Sequence, residues 1–376
     1  MTTTGYVARP RTALGWVFVL SLVIASGVGG AARPHSALAQ DASPVATPIG
    51  DGARLFALPG DAVFPEGVAY QPETGAFFAG SSADGTIFRG DVATGTVEVF
   101  SPAGADGRTS AAGMKVDPDG RLFVAGGQSG TVWVYDTGTG GLLTQASNGL
   151  GPNTFLNDIA LTEDGDAYIT DSFNPILFRL AATAIPSAPL STTPSASGTP
   201  AASAQLEAAI DLSGSVVPFG EGFNLNGIAA VPGGQVLLVV HSSTGGLYRI
   251  DLASQEVTEG DLGNATLTNG DGMALRDWVL YVVRNADGVI VPVTMADDFT
   301  SGDAAEGFSH LGLAFPTTIA PYDGCLLVVN SQFDKRQAGE PVLPFTVAGI
   351  PIPLSELPEG TPAGETAAVA TATGGC

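Results

Sequence analysis

The chain of 376 residues carries 37 acidic and 14 basic residues, which gives a formal net charge of −23. This excess of negative charge argues against nucleic acids and anionic membranes as partners bound through a basic face, and it is compatible with metal cations as ligands. Only two cysteines are present, which excludes a cysteine-rich metal site.

Residues 1–39 have the pattern of a secretory signal peptide. Two arginines precede an apolar run over residues 13–25, and the small-residue motif Ala37-Leu-Ala39 marks a cleavage site before Gln40. We therefore expect a secreted, extracytoplasmic protein with no membrane attachment once the leader is removed. An uncleaved membrane anchor is the alternative, because small residues lengthen the apolar region.

The segment after the leader predicts a linker followed by a closing strand. Residues 40–52 are assigned to the linker. Arg54 to Pro59, with the sequence RLFALP, precedes the first repeated unit described below and predicts a strand that joins the last unit of the fold. Such pairing would bring the two ends of the domain together.

The stretch from Phe64 to Phe100 predicts one four-stranded antiparallel sheet. Its sequence, FPEGVAYQPETGAFFAGSSADGTIFRGDVATGTVEVF, contains four short runs of β-branched, aromatic and small residues separated by turn-forming segments. Runs of about four to six residues suit strands and are too short for helices. One such sheet cannot bury its two faces alone, so neighbouring copies are expected.

Copies of this unit recur along the chain with a period of about 45 residues. The residues at the start of the first strand of each copy, called here the register positions, are Glu66, Ala112, Asn157, Asn226, Asp271 and Thr317. One interval is longer, and the segment from Ala181 to Ala204, which is Pro-rich and uncharged, accounts for the excess as a disordered insertion in the third unit. Six such units predict an all-β fold, a six-bladed β-propeller of four-stranded antiparallel blades.

The propeller is predicted over residues 53–354, and residues 355–376 predict a disordered tail. We expect a monomer. Cys325 lies in an apolar strand and Cys376 ends the tail. A disulfide between the two cysteines is possible, but no sequence pattern favours it.

The register positions converge in a propeller, because the first strand of every blade lines the central channel. Two carboxylates, Glu66 and Asp271, and two amides, Asn157 and Asn226, would then surround one end of the channel. Oxygen ligands of this kind are those that Ca²⁺ prefers, whereas zinc and copper favour His or Cys. The sequence therefore predicts a Ca²⁺ site, or one for another divalent cation. The alternative is that Asn226 and Asp271, each followed by glycine, mark turns, and that Glu66 is a solvated rim charge.

The second strand of each blade returns to the same end of the channel. Counting about 14 residues from the register positions reaches Asp171 and His241, which are candidates for a catalytic acid or base beside a cation. The alternatives are that Asp171 caps the following turn and that His241 only packs or forms hydrogen bonds. Asp158, next to Asn157, is expected to point to the opposite side of its strand and either to orient its neighbour or to bond the backbone.

Four motifs carry a resemblance to a known family. PEGVAY, LND followed by DGDAYITD, LNGIAAVPGG and GDGM resemble the blade-opening motifs of the senescence marker protein, gluconolactonase and luciferin-regenerating enzyme family, which includes regucalcin. The resemblance covers about residues 60–335 and implies a six-bladed propeller with a central divalent cation and, in many members, lactone or ester hydrolysis. It implies that Glu66, Asn226 and Asp271 are metal ligands, with Asn157 at or beside the metal, and that Asp171 is the acid or base.

The sequence departs from the family at two places. No histidine pair matches the dyad proposed for the distantly related paraoxonases, and the insertion together with the extension DKRQAGEPVLPF in the sixth unit is unlike compact sugar lactonases. The expected function is an exported, calcium-dependent hydrolase that acts on a small-molecule lactone or ester. The alternative is a non-catalytic propeller that binds a ligand or protein and uses the metal as a structural element.

Overall fold

The computed structural model describes residues 46–50, 52–187, 204–353 and 376. The leader predicted over residues 1–39 lies outside these residues, as do 188–203 of the predicted insertion and nearly all of the predicted tail. Within the described part of the chain, no helix has the length and apolar character needed to cross a bilayer.

The structure is a six-bladed β-propeller, as the repeats predict. Two strands precede the first blade: β1 (Thr47–Gly50) and β2 (Ala53–Leu58). Blade 1 comprises β3 (Pro65–Gln71), β4 (Ala76–Ser81), β5 (Ile87–Asp91) and β6 (Val97–Ser101). Blade 2 comprises β7 (Met114–Val116), β8 (Arg121–Ala125), β9 (Thr131–Asp136) and β10 (Leu142–Ser147). Blade 3 begins with β11 (Leu156–Leu161), β12 (Ala167–Asp171) and β13 (Ile176–Leu180); β14 (Ala204–Gln205) then adds to blade 2, and β15 (Glu207–Asp211) completes blade 3.

The remaining blades follow the same antiparallel order from the channel outwards. Blade 4 comprises β16 (Leu225–Ala230), β17 (Val236–His241), β18 (Leu247–Asp251) and β19 (Val257–Glu259). Blade 5 comprises β20 (Gly270–Arg276), β21 (Val279–Arg284), β22 (Val289–Met295) and β23 (Gly302–Ala304). Blade 6 contains β24 (Pro316–Tyr322), β25 (Cys325–Asn330) and β26 (Phe345–Pro351). The described helical segments are short: 3-10 turns at Ala105–Gly107 and Ala182–Ala184, and α1 (Phe333–Arg336).

Blade 6 is completed by the N-terminal strands, which confirms the predicted closure. β2 pairs antiparallel with β26, with Arg54 opposite Gly349 and Leu58 opposite Phe345. β1 then pairs with β2 and forms a fifth, outermost strand. Thr47–Gly50 falls in the segment assigned to a linker, so the sheet extends further towards the N-terminus than the sequence pattern indicates.

The hydrophobic core is divided among the contacts between neighbouring blades. Each cluster of buried side chains in the described chain joins two adjacent blades, as Phe77 of blade 1 and Phe345 of blade 6 illustrate. Because neighbours cover both faces of a blade, strands such as β17 are apolar at successive positions rather than alternating. The fold therefore buries its apolar side chains between blades and leaves the channel end for polar ones.

A disulfide joins the end of the chain to the propeller. Cys376 is bonded to Cys325 at the start of β25, and its backbone N–H donates to the carbonyl oxygen of Gly52 beside β2. The Tyr322 hydroxyl donates to the Cys376 carbonyl oxygen. Cys376 thus has a buried, bonded position, although it belongs to the segment that the sequence analysis assigned to a disordered tail.

We predict that losing this disulfide destabilises the propeller. The bond spans 51 residues, so it restricts the unfolded chain, and Cys376→Ser should lower the free energy of unfolding by about 2 to 4 kcal/mol. Denaturant unfolding of the wild-type protein with and without reductant measures the same effect. The Cys376→Ser variant is the control, because reductant should not weaken it further. A wild-type midpoint that is insensitive to reductant would contradict the bond.

Candidate metal site and cavity

The four predicted ligands line one cavity at an end of the channel. Glu66, Asn157, Asn226 and Asp271 all contribute to the walls of a cavity of about 550 Å³. Each is buried, with 3 to 7% of its surface exposed. The propeller geometry therefore brings together side chains that are more than 200 residues apart in the sequence.

A β-bulge in the inner strand positions each of these side chains. In β3, β11, β16 and β20 the pairing with the second strand shifts between the residue before the ligand and the second residue after it. The same shift occurs in β24 at Thr317. A bulge redirects a side chain relative to the regular pleat, and here it recurs at the channel end of five blades.

Three of the predicted ligands, Glu66, Asn226 and Asp271, are each followed by a glycine that the approach of the next inner strand requires. A Cβ atom on Gly227 would lie 2.2 Å from the carbonyl oxygen of Asp271, and one on Gly67 would lie 2.1 Å from that of Ala112. Both distances are shorter than any real contact, so only glycine fits. Asn226-Gly227 and Asp271-Gly272 are therefore strand residues, and the alternative interpretation as turns is wrong.

Three of the four predicted ligands have an oxygen atom without a hydrogen-bond partner. Glu66 Oε2, Asn157 Oδ1 and Asn226 Oδ1 are buried and accept no hydrogen bond from any described residue. Burying a polar atom without a partner is unfavourable, so such atoms usually indicate a bound water or ion. Here they come from three different blades and line the same cavity.

Neighbouring polar groups hold the ligands in this orientation. Asn157 donates its Nδ2 to Ser172 Oγ at 2.9 Å, and Ser172 in turn donates to the Leu225 carbonyl oxygen at 2.6 Å. Asn285 donates its Nδ2 to Asp271 Oδ2 at 2.6 Å. Thr317, the register residue of blade 6, donates its hydroxyl to the Glu66 carbonyl oxygen at 2.8 Å. With its nitrogen engaged by Ser172, Asn157 presents its oxygen as the free atom.

The buried carboxylates are electrostatically unfavourable to one another. Burial raises the pKa of Glu66 well above its usual value, and the nearby Asp271 and Asp158 raise it further. Burial likewise raises the pKa of Asp271 to about 7, and Asp158 adds to the increase. Burial also raises the pKa of Asp158. Lys115, whose Nζ lies 3.5 Å from Asp158 Oδ1, lowers the pKa of both Glu66 and Asp158 and so opposes these increases. A divalent cation beside Glu66 and Asp271 would relieve this repulsion.

The donor set fits a hard divalent cation. Two carboxylates and two amide oxygens are typical Ca²⁺ ligands, and the formal charge of −2 matches the ion. Within the described residues, no three His, Cys, Asp or Glu side chains form a metal-binding group, so a cation here depends on the amides of Asn157 and Asn226. That composition disfavours zinc.

Asp158 does not line the cavity, whereas its neighbour Asn157 does, which agrees with the expectation that the two side chains lie on different sides of the strand. The Asp158 carboxylate also bonds the backbone, which was one of the expected roles. Its Oδ1 accepts from the Ile159 N–H at 2.8 Å, while Oδ2 is buried without a partner.

Asp171 does not line the cavity. It is fully buried, and its Oδ1 accepts from the backbone N–H groups of Phe155, Phe173 and Asn174 at 2.9 to 3.2 Å. Its Oδ2 accepts from the Thr154 hydroxyl and from Asn174 Nδ2. The arrangement is that of a turn-capping residue, which was the alternative interpretation of this aspartate.

His241 is also removed from the cavity. Its Nε2 lies 2.8 Å from the Pro218 carbonyl oxygen, and its Nδ1 accepts from the Thr244 N–H at 3.3 Å. Burial lowers its pKa, which favours the neutral ring. Both ring nitrogens are therefore engaged in local hydrogen bonds.

The residues that follow the second strands and face the cavity side lie one position after Asp171 and His241. Ser242, next to His241, lines the cavity, and Ser172, next to Asp171, contacts Asn157. A constant spacing of 14 residues ignores the length of the first turn, which is longer in blades 3 and 4 than in blade 5. Because strand side chains alternate, an error of one residue selects the opposite side.

Comparisons with known proteins support the fold and no family. No protein-family model matches the sequence, and no curated protein matches it. Among solved structures, the major Malassezia sympodialis allergen Mala s 1 has a TM-score of 0.55 at 15% identity, with 79% of this chain and 95% of that chain covered.

Two further solved structures are similar over comparable lengths. U3-55K has a TM-score of 0.52 at 12% identity, covering 81% of this chain and 100% of that chain. Virginiamycin B lyase from Staphylococcus aureus has a TM-score of 0.50 at 11% identity, covering 80% and 99%. At these identities the likeness concerns the fold alone.

We predict that Asp271→Asn stabilises the protein in calcium-free buffer at pH 8. An aspartate whose pKa is about 7 in the folded state and ordinary in the unfolded state contributes stability at acidic pH that is lost as the pH rises through 7. The variant should therefore exceed the wild-type free energy of unfolding by at least about 1 kcal/mol at pH 8, and by less at pH 5.

Asp84→Asn provides the control for this measurement. Burial opposes ionisation of Asp84, but hydrogen bonds from Thr86 and Ser81 outweigh it and lower its pKa. Replacing Asp84 should therefore give no gain in stability at pH 8. Equal stability of Asp271→Asn and wild type in chelator at pH 8 would contradict the electrostatic account.

Proposed function

We propose that this protein is an exported, calcium-dependent hydrolase that opens a lactone or cleaves an ester at the channel mouth, in the manner implied by its resemblance to the regucalcin-like family. The observation that carries the proposal is the set of unpartnered buried oxygens of Glu66, Asn157 and Asn226 beside Asp271. An apolar packing role does not account for oxygens so placed.

Each side chain has a defined part in this proposal. Glu66, Asn157, Asn226 and Asp271 would hold the cation, with Asn157 oriented by Ser172 and Asp271 by Asn285. A bound Ca²⁺ would supply Lewis-acid polarisation of the substrate carbonyl. The cavity above the ring has the volume of a small-molecule site.

The proton of the attacking water requires an acceptor in the cavity. Asp171 and His241 are both hydrogen-bonded elsewhere, so the carboxylates available among the described lining residues are Glu66 and Asp271. In the proposed reaction the water oxygen attacks the carbonyl carbon, one of these carboxylates takes the proton, and the C–O bond to the leaving oxygen breaks. The proton is then returned to the leaving oxygen.

Export is supported by two independent features. The first is the leader pattern over residues 1–39, which lie outside the described residues. The second is the Cys325–Cys376 disulfide, because such bonds persist mainly in oxidising, extracytoplasmic compartments.

A binding protein with a structural cation is the second candidate. The observation in its favour is that the cavity walls, in the described chain, contain no titratable side chain besides Glu66, Asp271 and Arg336. A ring carboxylate would then have to act both as a ligand and as a base. Calcium should raise the melting temperature under either proposal, whereas turnover is expected only from the hydrolase.

We predict metal-dependent hydrolysis that requires Asp271. The purified protein should open members of a panel of lactones and aryl esters with Ca²⁺ and lose this activity in chelator. Asp271→Ala should abolish both calcium binding, measured by calorimetry, and turnover, because it removes a charged ligand. Asp251→Ala, at an exposed turn, is the matched control. Calcium binding without hydrolysis of any panel member would refute the hydrolase proposal and leave the binding proposal.

We further predict that Ser172→Ala weakens calcium affinity about tenfold, because Ser172 orients Asn157 without touching the cation itself. Ser331→Ala is the matched control, since Ser331 Oγ donates to the Phe315 carbonyl oxygen in blade 6 and orients no ring ligand. Calcium titrations of both variants test the role. Equal affinities would show that the Ser172 contact does not matter for binding.

A further inference from the structure

An aromatic cluster borders the cavity on the side of blades 3 and 4. Phe155, Phe173 and Phe223 pack against one another, with ring centroids 5.0 to 5.7 Å apart. Phe155 and Phe223 line the cavity. Phe173 and Phe223 remain 37 and 44% exposed, although both are large apolar residues. An exposed apolar cluster beside a polar site is typical of a ligand-binding surface.

Buried polar groups hold this aromatic cluster in place. Asp171 accepts from the backbone N–H groups of both Phe155 and Phe173, so one carboxylate fixes two of the three segments. Asn224 Nδ2 donates to the Ser172 carbonyl oxygen at 2.9 Å and anchors the segment that carries Phe223. The cluster is thus a pre-organised surface, and Asp171 is a positioning residue for it.

An arginine side chain lies on the side of the cavity mouth opposite the aromatic cluster. Arg336 of α1 lines the cavity together with Phe333 and Ser82, and its Nη1 donates to Ser82 Oγ at 3.0 Å. Its guanidinium lies over the rings of Phe64 and Phe333, at 5.2 and 5.8 Å from their centroids. These contacts orient the side chain and leave donors free.

Arg336 forms no ion pair with any described residue. Arg336 therefore presents a positive charge at the cavity wall without a carboxylate partner among the described residues. It is also the one basic residue among the described residues that line the cavity. It lies in the extension of the sixth unit that the resemblance did not explain.

The two features face each other across the ring. Blade 6, which carries Arg336, lies opposite blade 3 in a six-membered ring, and blade 1, which carries Ser82, lies opposite blade 4. A ligand that spans the mouth would therefore contact the aromatic cluster at one end and Arg336 at the other. Its middle would pass over Glu66, Asn157, Asn226 and Asp271.

We propose that the cavity selects amphiphilic carboxylates, with an aromatic or aliphatic arm against Phe155, Phe173 and Phe223 and the carboxylate paired with Arg336. The inference rests on the proposed function only for the identity of the reacting bond, which would be a lactone or ester carbonyl between the two ends. Arg336 and the aromatic cluster then determine which substrates bind, and Glu66, Asn157, Asn226 and Asp271 hold the cation at the reacting bond.

The test is a ligand pair of the same length and nearly the same shape, of which only one member is charged. Binding of 4-phenylbutyrate and of its neutral amide, 4-phenylbutanamide, is measured by calorimetry on the full-length protein, with calcium and in chelator. The acid should bind about fivefold more tightly than the amide, the scale of one partly exposed ion pair. Arg336→Gln should remove this preference, while Lys335→Gln, next to it on α1 and outside the cavity lining, should keep it.

A second variant tests the aromatic end. Phe223→Ala should weaken both ligands equally, by about fivefold, because it removes a ring contact that does not depend on charge. Trp278→Ala, an exposed aromatic residue on blade 5 outside the cavity lining, should weaken neither ligand.

Three results would overturn the inference: no binding of 4-phenylbutyrate, an acid preference that survives Arg336→Gln, or a Phe223→Ala variant that binds as the wild type does. If the Arg336→Gln variant kept the preference for the acid only in the presence of calcium, the ligand carboxylate would bind at the metal site instead. Because binding is measured without turnover, a protein that shows the expected pattern but hydrolyses nothing would refute the hydrolase proposal and keep this inference.

Discussion

The close approach of the inner strands at the channel is the constraint on which the site depends. At this end the backbone of one blade lies directly against the carbonyl oxygens of the next, as the contact between Gly227 and Asp271 shows. The side chain before each such glycine cannot follow the regular pleat, because the bulge redirects it. The crowding of the backbone and the convergence of the oxygen atoms therefore have the same structural cause, which is the close approach of neighbouring inner strands.

In this arrangement the residues that stabilise the fold are separate from those that form the candidate site. The apolar side chains lie between blades, where each cluster joins two neighbours, and the polar ones gather at the channel end. Glu66 and Asp271 are costly to bury, since burial alone raises the pKa of both. The packing between blades offsets that cost, so the propeller can keep buried oxygen atoms at the channel end that accept no hydrogen bond from the described residues.

The sequence could predict the parts of this structure that repeat. The period of about 45 residues identified the blades and the six register positions, because a propeller maps equal spacing onto equal position. It could not place Asp171 and His241, since turn lengths differ between blades and a slip of one residue reverses a side chain. Phe223 and Arg336 were also missed. They lie outside the repeated strands, and no periodic signal marks a loop or a four-residue helix.

The pairing of β2 with β26 has a consequence for the order of the blades. Strands from both ends of the domain complete one sheet, and the disulfide at Cys325 adds a covalent link beside it. A ring closed in this way has no structurally privileged first blade. Circular permutants that begin between other blades should retain the same architecture if the original ends are joined, because every blade would keep both neighbours.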